Sequence, residues 1–108
     1  MRMWNIDPSK MCRQHLLGEH LEMHMFVGSI NKGISMAGYV KNGLLDTSNL
    51  LRRHFLLVEE MERRGMNHQS DLPNIKLKEH VGMDCIDVEA NIKDLYNRCE
   101  LCRKLLQQ

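Results

Sequence analysis

Thr47-Ser48-Asn49-Leu50-Leu51-Arg52-Arg53-His54-Phe55-Leu56-Leu57-Val58-Glu59-Glu60-Met61-Glu62-Arg63-Arg64-Gly65 is the stretch whose reading decides the fold. Leu50, Leu51, Phe55, Val58 and Met61 recur at helical spacing. Thr47 or Ser48 can accept the first free backbone N–H groups, and Gly65 suits the C′ position, where the chain turns left-handed to leave a helix. The alternation that marks a strand is nearly absent from the whole chain, so the stretch predicts an all-α fold.

Towards the N-terminus, Asp7-Pro8-Ser9 reads as a second helix start, because Pro suits the first turn and a short polar side chain can cap it. A helix over residues 9–30 follows, with Leu17, Leu21, Met25 and Gly28 on a packed spiral and Gln14, His15, Gly18, Glu19 and Glu22 on an open face. Gly33, Gly38 and Gly43 punctuate the next segment. Each Gly in a helix there would lose about 1 kcal/mol relative to Ala, so residues 34–44 are expected to form a loop.

Towards the C-terminus, residues 66–85 contain Pro73 and Gly82 without sustained periodicity, which predicts an irregular connection across the surface. Asp87 can cap a third helix, with Val88, Ile92, Leu95, Tyr96, Cys99, Cys102 and Leu106 on or near one apolar stripe. The expected architecture is one compact three-helix domain spanning residues 1–108, with long irregular connections.

The composition agrees with one small globular domain: 108 residues, 43% apolar and 27% charged, are too few for two cores and too apolar for disorder. No apolar run approaches the roughly 18 residues needed to cross a membrane. Arg2, Asp7, Lys10 and Arg13 leave no room for the apolar centre of a secretory signal, so a cytoplasmic location and no membrane partner are expected. The net charge of +1 conceals basic clusters at Arg52-Arg53, Arg63-Arg64, Lys76 with Lys78, and Arg103-Lys104, any of which could meet phosphates.

Four cysteines are too few for a disulfide scaffold, and free thiols are expected in a reducing compartment. Cys99 and Cys102 form a C-x-x-C, and Cys12 with Cys85 could complete a four-thiolate zinc site. The plainer reading is that cysteines on an apolar stripe are small buried hydrophobes, leaving no cofactor. His20, Glu22 and His24 make H-x-E-x-H, but Glu22 falls about 200° from the histidines, unlike the base of a zinc protease helix.

Met1-Arg2, then Arg13-Gln14-His15-Leu16-Leu17-Gly18-Glu19-His20, then Glu22, and later Glu59-Glu60-Met61-Glu62-Arg63-Arg64-Gly65 stand in this order. In this the chain resembles the pyrimidine-dimer DNA glycosylase/endonuclease V family over about residues 1–72. Proteins of that family are small three-helix enzymes. Their N-terminal segment threads between helices, the α-amino group is the nucleophile, and a glutamate in the first helix follows a Gln-His pair.

The resemblance implies Met1 as nucleophile and Glu22 as catalytic carboxylate, 22 − 1 = 21 positions apart as in the family. It also implies DNA contacts from Arg2, Gln14 and His15, with Arg13, Arg52 and Arg53 as further basic candidates. Arg2 is too large a second residue for the usual removal of an initiator methionine, so Met1 is expected to remain. Two positions depart from the family: Leu21 and Met25 stand where relatives carry Arg. The aromatic tail of the phage members is replaced by Leu105-Leu106-Gln107-Gln108. These departures bear on recognition of the pyrimidine dimer itself.

The chemistry gives its own reason for using a terminus, since only a neutral amine can attack C1′ of a nucleotide. α-Amino groups ordinarily titrate at about 7.7–8.0 and lysines near about 10.4, a hundredfold or greater advantage in neutral amine. An imine formed this way makes the C2′ proton removable, so β-elimination of the strand follows. The expected function is glycosylase and abasic-site lyase action on damaged duplex DNA by a monomer. A non-catalytic DNA-binding module and a small zinc-stabilised helical interaction domain are the alternatives. Apart from the resemblance, Glu22 would be a solvated carboxylate, Met1 a frayed end and Trp4 a core residue.

Overall fold

A computed structural model describes all 108 residues. The elements are all helical: α1 (Arg13–Asn31), α2 (Ala37–Lys41), α3 (Leu50–Arg63), α4 (Val88–Arg98) and α5 (Glu100–Leu106), with 3-10 turns at Pro8–Lys10 and Thr47–Asn49. No helix is long and apolar enough to cross a membrane. The long helices α1 and α3 pack on each other, and α4 and α5 pack beside the N-terminal segment.

The start at Asp7 forms as expected, its side chain accepting the Ser9 N–H at 3.0 Å, but only one 3-10 turn follows before the chain extends at Cys12. That break turns Met11 fully into the core and makes Cys12 the N-cap of α1. The buried face of α1 is Leu16, Glu19, Met23, Phe26, Val27 and Ile30, whereas Leu21 and Met25 are exposed. This corrects the expected packed spiral. Rotating the helix to bury Phe26 and Met23 takes Glu19 inside, which is tolerable only because that carboxylate is paired.

Residues 34–44 are not wholly a loop. The single turn of α2 is flanked by Gly33 and Gly43, both at positive φ, and Tyr39 from it meets Phe26 edge-on at 5.1 Å. Packing against α1 offsets the cost of Gly38 inside the turn.

Ahead of α3 the capping side chain is that of Asp46, not Thr47 or Ser48: it caps the Thr47–Asn49 turn, its carboxylate accepting the Ser48 N–H at 3.0 Å, and Asn49 at the start of α3 itself makes no side-chain capping bond. Thr47 instead holds the long connection, donating its backbone N–H to Val81 O at 3.0 Å and accepting the Val81 N–H on Oγ1 at 2.8 Å. Gly65 ends the helix at φ 81°, as its sequence position predicts. The buried face is Leu50, Arg53, His54, Leu57, Glu60 and Met61, while Leu51 and Phe55 point outward.

The connection 66–85 has no helix or strand, in agreement with its sequence. Asp87 caps α4 through the Ala90 N–H at 3.0 Å. The third helical stretch then breaks at Cys99, which is extended (φ −129°, ψ 113°) and serves α4 as C-cap and α5 as N-cap. Neither Gly nor Pro announces this break.

One core of apolar side chains gathers these elements, including Met3, Trp4 and Ile6 from the N-terminal segment. That segment is threaded between helices by specific bonds. The Met3 N–H donates to Leu44 O at 2.7 Å, the Trp4 N–H to Glu19 Oε2 at 3.2 Å, and Asn91 Nδ2 donates to Trp4 O at 2.7 Å. A terminus of this kind ordinarily frays; here Met3, Trp4 and Ile6 are buried, and Arg2 and Asn5 are held by side-chain hydrogen bonds.

Candidate active site

Threading carries Met1 to α1. Its α-amino nitrogen lies 3.8 Å from Oε1 of Glu22, and both side chains are about four-fifths screened from solvent, at 16% and 26% exposure. Burial raises the Glu22 carboxyl above the ordinary carboxylate range, while the Met1 ammonium and a backbone hydrogen bond at Arg2 act in the opposite sense. A largely screened carboxyl beside an amine is suited to holding a proton and releasing it.

Arg2 sets the direction of the segment. Its guanidinium donates to Asp94 Oδ2 at 2.9 Å and to Asn91 Oδ1, and lies 3.8 Å above the Trp4 ring. Protein partners from α4 therefore hold the side chain for which the sequence suggested a phosphate. A shallow cleft runs beside it, lined by Arg2, Lys41, Asn42, Asp87, Asn91 and Asp94. The largest cleft lies elsewhere, against Ile30, Met36, Val40 and Leu77, and includes neither Met1 nor Glu22.

The remaining sequence candidates separate. Arg13 and Arg52 are exposed, as DNA contacts require, and so is Gln14. Arg53 is not available: its side chain is 2% exposed and bound to Glu19 between α1 and α3. A run of two arginines on a helix puts them 100° apart, so one faced water and the other the core. His15 is turned from the open face. Its Nδ1 lies 3.2 Å from Cys12 Sγ and 3.6 Å from Cys102 Sγ, and its ring meets Trp4 edge-on at 6.1 Å.

This arrangement also corrects the expected cysteine set. Cys12, Cys99 and Cys102 converge with His15, but Cys85 does not join them; its thiol donates to Leu45 O at 3.1 Å. The signal in the sequence was the two-residue spacing of Cys12 and His15, which matches that of Cys99 and Cys102. Of a second cluster the sequence showed only the pair His20 and His24, four residues apart on one helix. His20 and His24 of α1 meet His54 of α3 and His68 of the connection, with their ligating nitrogens within 4.8 Å of one another. Burial, then the neighbouring imidazoles, push His20 and His54 down to about 4, so both are neutral near pH 7.

The sequence profile of the pyrimidine dimer DNA glycosylases matches residues 1–74, the part that holds the threaded N-terminus, α1, α2 and α3. The chain belongs to the pyrimidine dimer DNA glycosylase family. Membership of this DNA-repair glycosylase family makes the chain a glycosylase-type enzyme with DNA as its class of substrate. No curated protein and no solved structure matches it. Within the matched segment lie both Met1 and Glu22, while α4 and α5, which anchor Arg2 and supply two cysteines, lie beyond it.

Proposed function

We propose that the protein removes a damaged base from duplex DNA and cleaves the strand at the abasic site, acting as a monomer through the α-amino group of Met1. The observation that carries this reading is the approach of the Met1 nitrogen to Glu22 Oε1 at 3.8 Å, made by two segments that are adjacent only through tertiary packing.

In the first step the neutral amine forms a bond to C1′ as the glycosidic bond breaks, and the base departs with that electron pair and a proton. Opening of the sugar ring transfers a proton to O4′ and leaves an imine between Met1 and C1′. The protonated imine withdraws electrons from C2′, a carboxylate takes the C2′ proton, and the 3′-phosphate leaves with the C3′–O pair. Hydrolysis of the imine frees the amine. Glu22 is the group within reach of the amine. It stabilises positive charge on the opening sugar and carries the proton.

The target nucleotide has to leave the stack, at a cost of a few kcal/mol that is smallest at a distorted lesion such as a pyrimidine dimer. Arg13 and Arg52 are free to meet backbone phosphates. Retention of Met1 is checked by intact mass, which must include that residue.

A second reading, a DNA-binding module without catalysis, rests on Leu21 and Met25. Both flank Glu22 on α1, are 59% and 47% exposed, and stand where the family resemblance calls for arginine. Borohydride treatment of the untagged protein on duplex DNA with one abasic site separates the two. An adduct whose peptide map places DNA on Met1 is expected; DNA binding with no adduct would establish the silent module.

A further inference from the structure

We propose that Cys12, His15, Cys99 and Cys102 bind one structural zinc ion that fastens the C-terminal helices to the N-terminal segment. The four donor atoms lie within 4.8 Å of one another. Cys12 Sγ is 3.9 Å from Cys99 Sγ and 3.2 Å from His15 Nδ1, and Cys102 Sγ is 3.6 Å from His15 Nδ1. Tetrahedral zinc, with bonds of about 2.3 Å to sulfur and 2.0–2.1 Å to nitrogen, requires separations of roughly 3.8 Å between sulfurs and 3.5 Å between sulfur and nitrogen. Those three separations lie within about 0.3 Å of the ones such a site requires.

The backbone around them is arranged for thiolates. The Cys12 N–H donates to Cys102 Sγ at 3.2 Å, the His15 N–H to Cys12 Sγ at 3.5 Å, and the Cys102 N–H to Cys99 Sγ at 3.4 Å. Amide donors aimed at sulfur offset negative charge, which three neutral thiols would not need. The two C-x-x-ligand pairs each sit at a helix start, Cys12 capping α1 and Cys99 capping α5. The unsignalled break at Cys99 thereby has a purpose: the extended residue turns its sulfur onto the Cys102 N–H at the start of α5, beside Cys12 Sγ. Three sulfurs and one nitrogen form a complete soft set that suits zinc and leaves no open position for a substrate.

Binding releases the three thiol protons to solvent and closes a loop between residues 12 and 102. The clamp joins the start of α1, the helix of Glu22, to the helices that hold Arg2 through Asp94 and Asn91. Two of its ligands, Cys99 and Cys102, lie outside residues 1–74, and the site does not depend on the imine mechanism.

Metal analysis of the full chain, expressed with zinc and without a tag, is expected to show zinc that a strong chelator removes. Replacement by cobalt should give the thiolate-to-cobalt charge-transfer band of a tetrahedral site. Three of the four thiols should be protected from a thiol reagent until the chelator is added. Cys85→Ser should keep the band, and Cys102→Ser should lose or weaken it. Should Cys102→Ser fail to fold, the cobalt spectrum and the thiol count of the unaltered chain still decide. No bound metal and no thiolate band, or an iron–sulfur chromophore, would overturn the assignment.

A different observation carries a second site. Among His20, His24, His54 and His68 the rings stand 4.8–5.4 Å apart, and His54 Nε2 is 3.2 Å from His24 Nε2. The Nε2 atoms of His20 and His68 are buried with no hydrogen-bond partner. Orphaned buried nitrogens converging with two further imidazoles are costly unless something binds them. We infer that these four imidazoles hold a borderline divalent cation, linking α1, α3 and the connection that follows. With zinc as the probe, calorimetry should find a second equivalent, lost in His68→Gln while the cobalt–thiolate band of the cysteine site persists. A single equivalent, unchanged in His68→Gln, would sink this second site alone.

Discussion

Glu19 and Arg53 meet across the α1–α3 interface in a bidentate pair, Oε2 at 2.6 Å from Nε and Oε1 at 2.8 Å from Nη2, with both side chains withdrawn from solvent. The same carboxylate accepts the Trp4 N–H, so one charged group joins both long helices to the threaded N-terminus. Breaking a buried pair leaves the surviving charge uncompensated, at a cost of about 3–5 kcal/mol, whereas removing both charges costs much less. Arg53→Met should therefore lower the unfolding free energy by about that amount. The double variant with Glu19→Gln should recover a substantial part, as measured by urea denaturation. Equal losses in the single and double variants would disprove the coupling.

Glu22 keeps 26% of its side chain exposed and Gln matches it in size, so Glu22→Gln should leave the thermal midpoint within about two degrees of the parent. Strand cleavage at an abasic site should fall by roughly 10²–10⁴-fold, the usual worth of a positioned proton carrier. Single-turnover cleavage measured alongside DNA binding separates this from weakened association.

Arg52 and Arg53 make a controlled comparison on one helix. Arg52→Ala should weaken DNA binding and reduce the slope of log K against log salt by about 0.9, one phosphate contact, with stability unchanged. Arg53→Met should act through stability and leave the salt slope of the folded fraction as it was. Binding isotherms at three salt concentrations read both.

The buried Glu60 carboxylate is bonded by Arg63 and Arg64, whose hydrogen bonds hold it below the ordinary carboxylate range. Arg64 also donates to Pro8 O and Met11 O, tying α3 to the turn before α1. A lowered folded-state pKa means that the unfolded chain binds the proton first as acid is added. The stabilisation is complete above the ordinary value of about 4.3 and drains away as pH falls through the lower folded value. Urea midpoints of the parent and Glu60→Gln should thus differ at pH 6 and converge towards pH 3. A constant difference across that range would contradict the assignment.

Local signals in this chain were legible wherever neighbours within a turn decide the outcome. The all-helical class, the caps at Asp7 and Asp87, the exit at Gly65 and the irregular run 66–85 all follow from residues close in sequence. Family membership was equally legible, carried by the ordered residues around Gln14-His15 and Glu22 within the matched segment. The phase of the helices was not. Apolar periodicity alone faced Leu21, Met25, Leu51 and Phe55 inward, because it could not foresee that Glu19 and Arg53 would neutralise each other in the core.

The sequence by itself thus determined the helical class, the caps at Asp7 and Asp87, the exit at Gly65 and the family, because hydrogen bonding and side-chain spacing within a few residues are enough to specify them. Only the tertiary structure decided which face each helix buries, that His15 joins Cys12, Cys99 and Cys102 and not Cys85, and that four histidines from three segments converge. Those outcomes depend on residues up to 90 positions apart, such as Cys12 and Cys102, whose meeting is set by how the whole core packs and by no local spacing.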